Sequence, residues 1–344
     1  MDNKIKKLAL LGFGNAGQAF GHLLLEKKEE IKTKYGYEVL VTAIATNSKG
    51  NLVNAHGVDL ARALADLEST GKFCNEAELS PMTTIEIVES ADYDVLVEMT
   101  PLNIFTGQPA IDHIETAFRR DKDVITANKG PIAWKFATLR DMAKERGLRF
   151  YYETTVMDGT PVFNLVEKTL PMAKVTEVVG ILNSTTNFIL EELAAGADYE
   201  DIMARGRKLG FVEADPAMDI EGYDAAAKVT ALLNVLMDAN ITPDMVERKG
   251  IEDINVADIQ EAKERGNLIK LLCKGSKLPD GTIKATVAPE EVPVGSLMAT
   301  IDSTTSVVSI TTDLMKTVSI VEHQPEIAQT AYGVFGDLLR ILGA

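Results

Sequence analysis

The stretch LALLGFGNAGQAF, residues 8–20, constrains the fold of this 344-residue chain more than any other. Before it, IKKLALL (5–11) reads as a buried strand. After it, from Ala16 to Lys34, Ala19, Phe20, Leu23, Leu24 and Ile31 fall at helical spacing. Between them Gly12, Gly14 and Gly17 form a G-x-G-x-x-G pattern. In such a unit the first glycine permits a tight turn and the second lets a pyrophosphate approach the backbone. The third lets helix and strand pack closely, and the helix N-terminus faces the negative charge. Gly12, Phe13, Gly14, Asn15, Ala16 and Gly17 are therefore candidate dinucleotide-binding residues. The pattern alone is a weak signal, and a plain glycine-rich turn is its bland reading. Its strand–turn–helix setting makes it informative.

Alternation continues downstream. EVLVTAIAT (38–46), YDVLVEMT (93–100), DVITAN (123–128) and LRFYYETT (148–155) read as strands, separated by helical patterns over 60–67, 107–120 and 133–145. Strands alternating with helices predict a doubly wound parallel sheet. Past residue 155 the texture changes. KVTEVVGIL (174–182), GTIKATVAP (281–289), TTSVVSITT (304–312) and KTVSIVEH (316–323) are β-rich, with helical stretches at 186–195, 199–209 and 223–239. The last two strands predict an antiparallel hairpin. The expected architecture is α/β. A Rossmann-like dinucleotide-binding domain spans 1–150, and an α+β substrate-binding and dimerisation domain spans 151–324. A closing helix over 325–344 packs back on the nucleotide domain.

The net charge of −16 argues against nucleic acid and anionic membrane surfaces as partners. No apolar stretch approaches the ~18 residues of a membrane span. The N-terminal apolar run meets glycines and Asn15 too soon for a signal peptide. Cys74 and Cys273 lack ligand spacing and read as buried free thiols of a reducing compartment, so a cytoplasmic protein is expected. His22, His56, His113 and His323 form no metal or triad pattern and read as structural or exposed.

Cofactor choice usually turns on the end of the second strand. There ATNSKG (45–50) has no acid for a ribose 2′-hydroxyl and offers Ser48 and Lys49 to a 2′-phosphate. NADP(H) is expected over NAD(H), with dual use the rival.

Three further segments carry candidate chemistry. VITANKGPIA (124–133) puts Lys129 just past a predicted parallel strand, at the edge where open α/β sheets bind ligands; a solvated lysine is the alternative. GILNSTTNFIL (180–190) sets Asn183, Ser184 and Thr185 at a helix N-terminus, which is either a carboxylate site or simple capping. GFVEADPAMDIEGYDAAAKV (210–229) places Glu213, Asp215, Asp219, Glu221 and Asp224 ahead of Lys228. Asp224 and Lys228 share a helix face that continues into Leu232 and Val235. An ammonium at the head of a buried face is costly unless paired, so a site is favoured over a structural salt bridge.

These stretches, with VLVEMTP and ETTVMDGTPV, resemble the homoserine dehydrogenase family over nearly the whole chain. The resemblance implies NAD(P)-dependent, reversible reduction of L-aspartate 4-semialdehyde to L-homoserine, in threonine and methionine biosynthesis. It implies that Glu213 and Asp224 bind the substrate's amino group and that Lys228 transfers the proton, oriented by Asp224. It further places Lys129 between cofactor and substrate, and the α-carboxylate at Asn183, Ser184 and Thr185. Thr100 and Pro101 join the cofactor site, and a monovalent cation (Na+ or K+) lies near Glu153, Val156, Asp158 and Thr160. Asp215, Asp219 and Glu221 are left as turn and solvent-facing residues.

Two departures stand out. Asp158 replaces a small residue common in the family's turn, and VEHQPEIAQTA (321–331) lacks the glycines often found before the last helix. The chain ends at Ala344, as expected of a form without a C-terminal regulatory domain. Edge strands near 304–323 point to a homodimer. The rivals are a related dehydrogenase acting on another amino or hydroxy acid, and a non-catalytic nucleotide sensor. Loss of Lys129 or Lys228 would mark the latter, and both are present.

Overall fold

In the computed structural model, which describes residues 4–209, 212 and 215–343, strand β1 (Lys4–Leu11) is apolar on both faces of its second half. Leu8 and Leu10 pack into one layer, Ala9 and Leu11 into the other, as a central parallel strand requires. Then follow α1 (Asn15–Tyr35), β2 (Tyr37–Ala45), β3 (Asn51–Val53), α2 (Leu60–Thr70), β4 (Leu79–Ser80) and α3 (Thr84–Ser90). Next come β5 (Val95–Glu98), α4 (Ala110–Arg119), β6 (Asp123–Thr126), α5 (Lys129–Glu145) and β7 (Phe150–Tyr151). The sheet order is β4-β3-β2-β1-β5-β6-β7. Strands β2, β1, β5, β6 and β7 are parallel, as expected, while β3 and β4 add an antiparallel edge. The chain leaves β1 on one side for β2 and returns on the other for β5. The crevice at this reversal is where open α/β sheets bind ligands.

Two expected boundaries move. Helix α5 begins at Lys129, not Ala133, because Asn128 caps it by accepting from the Gly130 amide at 2.9 Å. Pro131 then sits in the first turn, where no amide is needed. Lys129 is thus a helix residue and not a loop residue. The strand expected over 148–155 shrinks to β7, because Glu153–Thr155 turn into a single 3₁₀ turn.

The second unit, Val162–Pro325, holds α6 (Phe163–Thr169), β8 (Val175–Ile181), α7 (Ser184–Ala194), α8 (Tyr199–Leu209), α9 (Ala217–Ile220) and α10 (Tyr223–Met237). It continues with β9 (Glu247–Arg248), α11 (Val256–Glu264), β10 (Asn267–Lys277), β11 (Ile283–Pro293), β12 (Ser306–Thr312) and β13 (Lys316–Glu322). Its sheet runs β13-β12-β8-β10-β11-β9, and β12 and β13 form the expected antiparallel hairpin.

Strand β10 escapes the sequence reading. NLIKLLCKGSK has one β-branched residue and two interior lysines, so nothing local marks it as a strand. Lys270 is nonetheless buried, with Nζ donating to Asn187 Oδ1 at 2.8 Å and to the Ile301 carbonyl at 2.6 Å. Those bonds offset the desolvation of its ammonium.

The closing helix α12 (Ile327–Gly343) belongs to the first unit, Met1–Pro161 with Glu326–Ala344. Val334, Leu338 and Ile341 lie in the same apolar layer as Leu8, Leu10 and Phe20. Each such side chain contributes roughly 1.5–3 kcal/mol by leaving water. Cys273 is buried as expected, but Cys74 is exposed. No described helix is long and apolar enough to cross a membrane.

Candidate active site

A cleft of about 300 Å³ opens at the carboxyl ends of β1, β2 and β5, lined by residues 12–17, 45–49 and 99–101 together with Thr84. Its floor is the glycine turn. Gly12 has φ +83°, and a Cβ there would lie 2.3 Å from the Met99 carbonyl oxygen. A Cβ on Gly17 would lie 2.7 Å from the Gly12 carbonyl oxygen. One on Gly14 would meet nothing within 4 Å, which leaves this backbone open to a ligand. Helix α1 starts here with no side chain capping its first amides and no acid in its first turn. Its amides and dipole therefore favour an anion in the cleft.

Ser48 and Lys49 line the cleft, and Lys49 Nζ donates to the Phe13 carbonyl at 2.7 Å. No Asp or Glu is among the described residues of the lining. A carboxylate to hold a ribose 2′-hydroxyl is thus missing where an ammonium is present. Thr100 and Pro101 line the opposite wall. Lys129 does not line the cleft; it heads α5 directly after β6, half-buried. Asn128, its neighbour, donates to the Thr100 carbonyl at 3.1 Å, tying this helix start to the cleft wall.

Elsewhere in the first unit, Glu153 and Val156 are buried, and Met157 and Asp158 follow with φ +56° and +49°. The Thr160 amide donates to the Met157 carbonyl at 2.9 Å. Asp158 Oδ1 accepts from Thr330 Oγ1 at 2.7 Å, so the acid that departs from the family pattern anchors α12. Among the described residues no cluster of His, Cys, Asp and Glu is arranged to hold a metal ion. A cation at this turn would depend on backbone carbonyls and Glu153.

The second unit gathers a polar cluster at the N-termini of α7 and α10. Gly222, at φ +79°, turns the chain into α10, and the Arg248 guanidinium stacks 3.6 Å from the centre of the Tyr223 ring. This sets Asp224 and Lys228 on one face, with Lys228 Nζ 3.0 Å from Asp224 Oδ2 and 2.7 Å from the Leu182 carbonyl oxygen. The Lys228 and Asp224 side chains are 21% and 15% exposed, so the pair is largely shielded from solvent.

Asn183 caps α7 by accepting from the Thr186 amide at 2.9 Å. Its Nδ2 donates to Asp224 Oδ2 at 3.0 Å and to Asp219 Oδ1 at 2.6 Å. Asp219 is therefore not the solvent-facing turn residue expected from sequence. Burial, and then the charge of Asp224, raise its pKa; Asn183, Lys228 and Thr185 act against that rise. Asp215 does behave as expected, exposed and accepting from the Ala217 amide. Beneath the cluster burial pushes the Cys273 thiol up to about 12, which makes it inert. Ser184 and Thr185 open α7 beside these groups. Glu213 lies outside the described residues.

Known proteins carry the same two parts. The family model for the homoserine dehydrogenase NAD-binding domain matches residues 12–153, and the model for homoserine dehydrogenase itself matches 161–339. The chain belongs to the homoserine dehydrogenase family. It is 37% identical to a homoserine dehydrogenase of Methanocaldococcus jannaschii over 336 residues, 97% of this chain and 98% of that one. It is 33% identical over 340 residues to an NAD(+)-dependent homoserine dehydrogenase of Pseudomonas canavaninivorans, covering 97% and 96%. A crystal structure of an Archaeoglobus fulgidus protein assigned to the same family superposes with a TM-score of 0.87 at 33% identity, covering 98% of this chain and all of that one.

As a homoserine dehydrogenase family member, the chain places its glycine cleft in the NAD(P)-binding domain and its carboxylate–lysine cluster in the second matched region. The sequence missed Asp219, and the only local signal for it was the MDIEG turn. A turn acid is ordinarily solvated, and only the fold brings Asn183 to it.

Proposed function

We propose that this enzyme catalyses the reversible reduction of L-aspartate 4-semialdehyde to L-homoserine. The observation that carries this reading is the cluster in which Asn183 bonds both Asp219 and Asp224 while Lys228 pairs with Asp224. Two carboxylates against one ammonium leave a net negative cradle, which suits a substrate bearing an ammonium group beside a carbonyl. Asp219 and Asp224, with Glu213, take that amino group. The first amides of α7, at Ser184 and Thr185, take the α-carboxylate. When bound, the reduced dinucleotide supplies the hydride to the aldehyde carbon. Lys228 protonates the aldehyde oxygen as negative charge develops there, oriented by Asp224 and the Leu182 carbonyl. Consumption of NADPH absorbance with aspartate semialdehyde tests the reading; turnover confined to a different amino or hydroxy acid would replace it with the related-dehydrogenase reading.

The first unit binds the dinucleotide in this scheme, and the second binds substrate and pairs two chains. The exposed edge of β13 supports a homodimer. A monovalent cation sits at the turn of Glu153, Val156, Asp158 and Thr160, supported by the buried acid and the two left-handed residues that fold the chain there.

The preferred cofactor is NADP(H). Ser48 and Lys49 line the rim where an acid would bind a 2′-hydroxyl, although one relative is named for NAD(+). Fluorescence titration is expected to give NADPH an affinity about tenfold above NADH, the worth of one charge-assisted contact. Lys49→Ala is expected to close most of that gap. Equal or reversed affinities in the unmodified enzyme would show that the rim does not read the phosphate.

A further inference from the structure

We propose that Glu98 is a positioning residue for the cofactor cleft: its buried carboxylate holds Thr100, and through Thr100 the wall against which the glycine turn rests. The inference rests on the reading of that cleft as the dinucleotide site.

Glu98 closes β5 and is 0% exposed, after three apolar residues that are equally buried. A carboxylate in such a place is costly, and ordinary packing would prefer a fourth apolar side chain. Its Oε1 accepts from the Thr100 amide at 2.9 Å and also from the Thr100 hydroxyl. The Thr100 carbonyl accepts in turn from Asn128 Nδ2 at 3.1 Å. Thr100 is thus held at its amide, its hydroxyl and its carbonyl. Met99, between them, donates its amide to the Leu11 carbonyl at 2.7 Å.

The held segment touches the turn that would cradle the pyrophosphate. The Cβ that Gly12 lacks would lie 2.3 Å from the Met99 carbonyl oxygen and 2.8 Å from the Thr100 nitrogen. A shift of Thr100 by a few tenths of an ångström therefore moves Gly12 or opens a gap beneath it. Asn128, bonded on one side to Thr100 and on the other to the Gly130 amide, carries the same constraint to the start of α5. A purely structural buried acid would have all its acceptors used. Among the described residues Glu98 Oε2 has no hydrogen-bond partner, nor has Nδ1 of the buried His113, which lies 3.9 Å from Glu98 Oε1. One oxygen of the carboxylate is committed to Thr100, while the acid as a whole is under-satisfied. That is the pattern of a group kept for its effect on a neighbour and not for stability.

The test compares Glu98→Ala, Glu98→Gln and Thr100→Val by NADPH titration and steady-state kinetics, well below each variant's melting temperature. Glu98→Ala is expected to raise the NADPH Kd and KM about tenfold or more, with the KM for aspartate semialdehyde within about threefold. Glu98→Gln keeps an oxygen acceptor for Thr100 and is expected to recover NADPH affinity to within about threefold of the unmodified enzyme. Thr100→Val loses only the hydroxyl bond and should fall between. A folded Glu98→Ala enzyme with unchanged NADPH Kd and KM would overturn the proposal, as would a Glu98→Gln enzyme as weak as Glu98→Ala. If Glu98→Ala does not fold, an unchanged NADPH Kd in Thr100→Val overturns it instead. An unmodified protein that binds neither dinucleotide removes the reading of the cleft itself, a distinct failure.

Discussion

Lys228→Met is expected to lower kcat about 10²–10⁴-fold, the usual worth of a general acid, while NADPH affinity changes by less than about threefold. Methionine keeps much of the length and the apolar stem that lies along α10 but deletes the ammonium. The proton for the developing alkoxide is then lost, and so is the charge that stands 3.0 Å from Asp224 Oδ2. Asp224 keeps the Asn183 amide, so the fold should survive with a loss of about 1–3 kcal/mol, less than the full cost of a broken buried pair. Activity measured well below the melting temperature separates chemistry from stability. Near-normal turnover in a folded Lys228→Met enzyme would remove Lys228 from the mechanism and leave it a structural partner of Asp224.

The second large effect concerns pH and lies in the first unit. Asp337 on α12 is 1% exposed, and its Oδ2 accepts from the Glu153 amide at 3.0 Å. Burial drives its pKa up from the ordinary carboxylate range to about 7, and the charge of Glu153 adds to the rise; the Glu153 amide and Arg340 oppose it. A carboxyl whose folded pKa lies above its unfolded value holds its proton in the folded state after the unfolded chain has lost it. Stability from this group is therefore greatest below about pH 4 and falls as pH rises towards 7, by about 4 kcal/mol in all. The steepest slope is about 1.4 kcal/mol per pH unit, near pH 5–6.5. Asp337→Asn keeps an oxygen for the Glu153 amide and cannot ionise. Its melting temperature is expected to gain on that of the unmodified protein steadily from pH 5 to pH 8. Parallel melting curves across that range would show that Asp337 does not titrate there.

Much of the first unit was legible in the residues because its signals are local. Gly12 is required by its own φ of +83° and Gly17 by the Gly12 carbonyl, both within one strand–turn–helix unit, so their spacing carries the meaning. The parallel centre of the sheet follows from runs such as LALL and VLV, whose residues are apolar on both faces. The hairpin of β12 and β13 is readable for the same reason, since two β-rich runs are joined by a short turn. The pairing of Asp224 with Lys228 was also readable, because a helix brings positions four apart together regardless of the rest of the chain.

What the tertiary structure alone decided is the work of groups distant in sequence. Asp219 enters the substrate cluster because Asn183, 36 residues earlier, reaches its carboxylate. Strand β10 forms because β8 and β11 offer it two edges to pair with, and its buried lysine is tolerated because Asn187 and the Ile301 carbonyl meet it. Asp337 acquires its raised pKa only when α12 packs beside Glu153, 184 residues earlier in the chain. By itself the sequence determined the alternating elements of the first unit, the glycine turn and the i,i+4 ion pair, because these depend on torsion preferences and periodicity over a few residues. Burial and charge environment were decided by the fold, because desolvation depends on every group that surrounds an atom, and the chain's own order does not say which groups those will be.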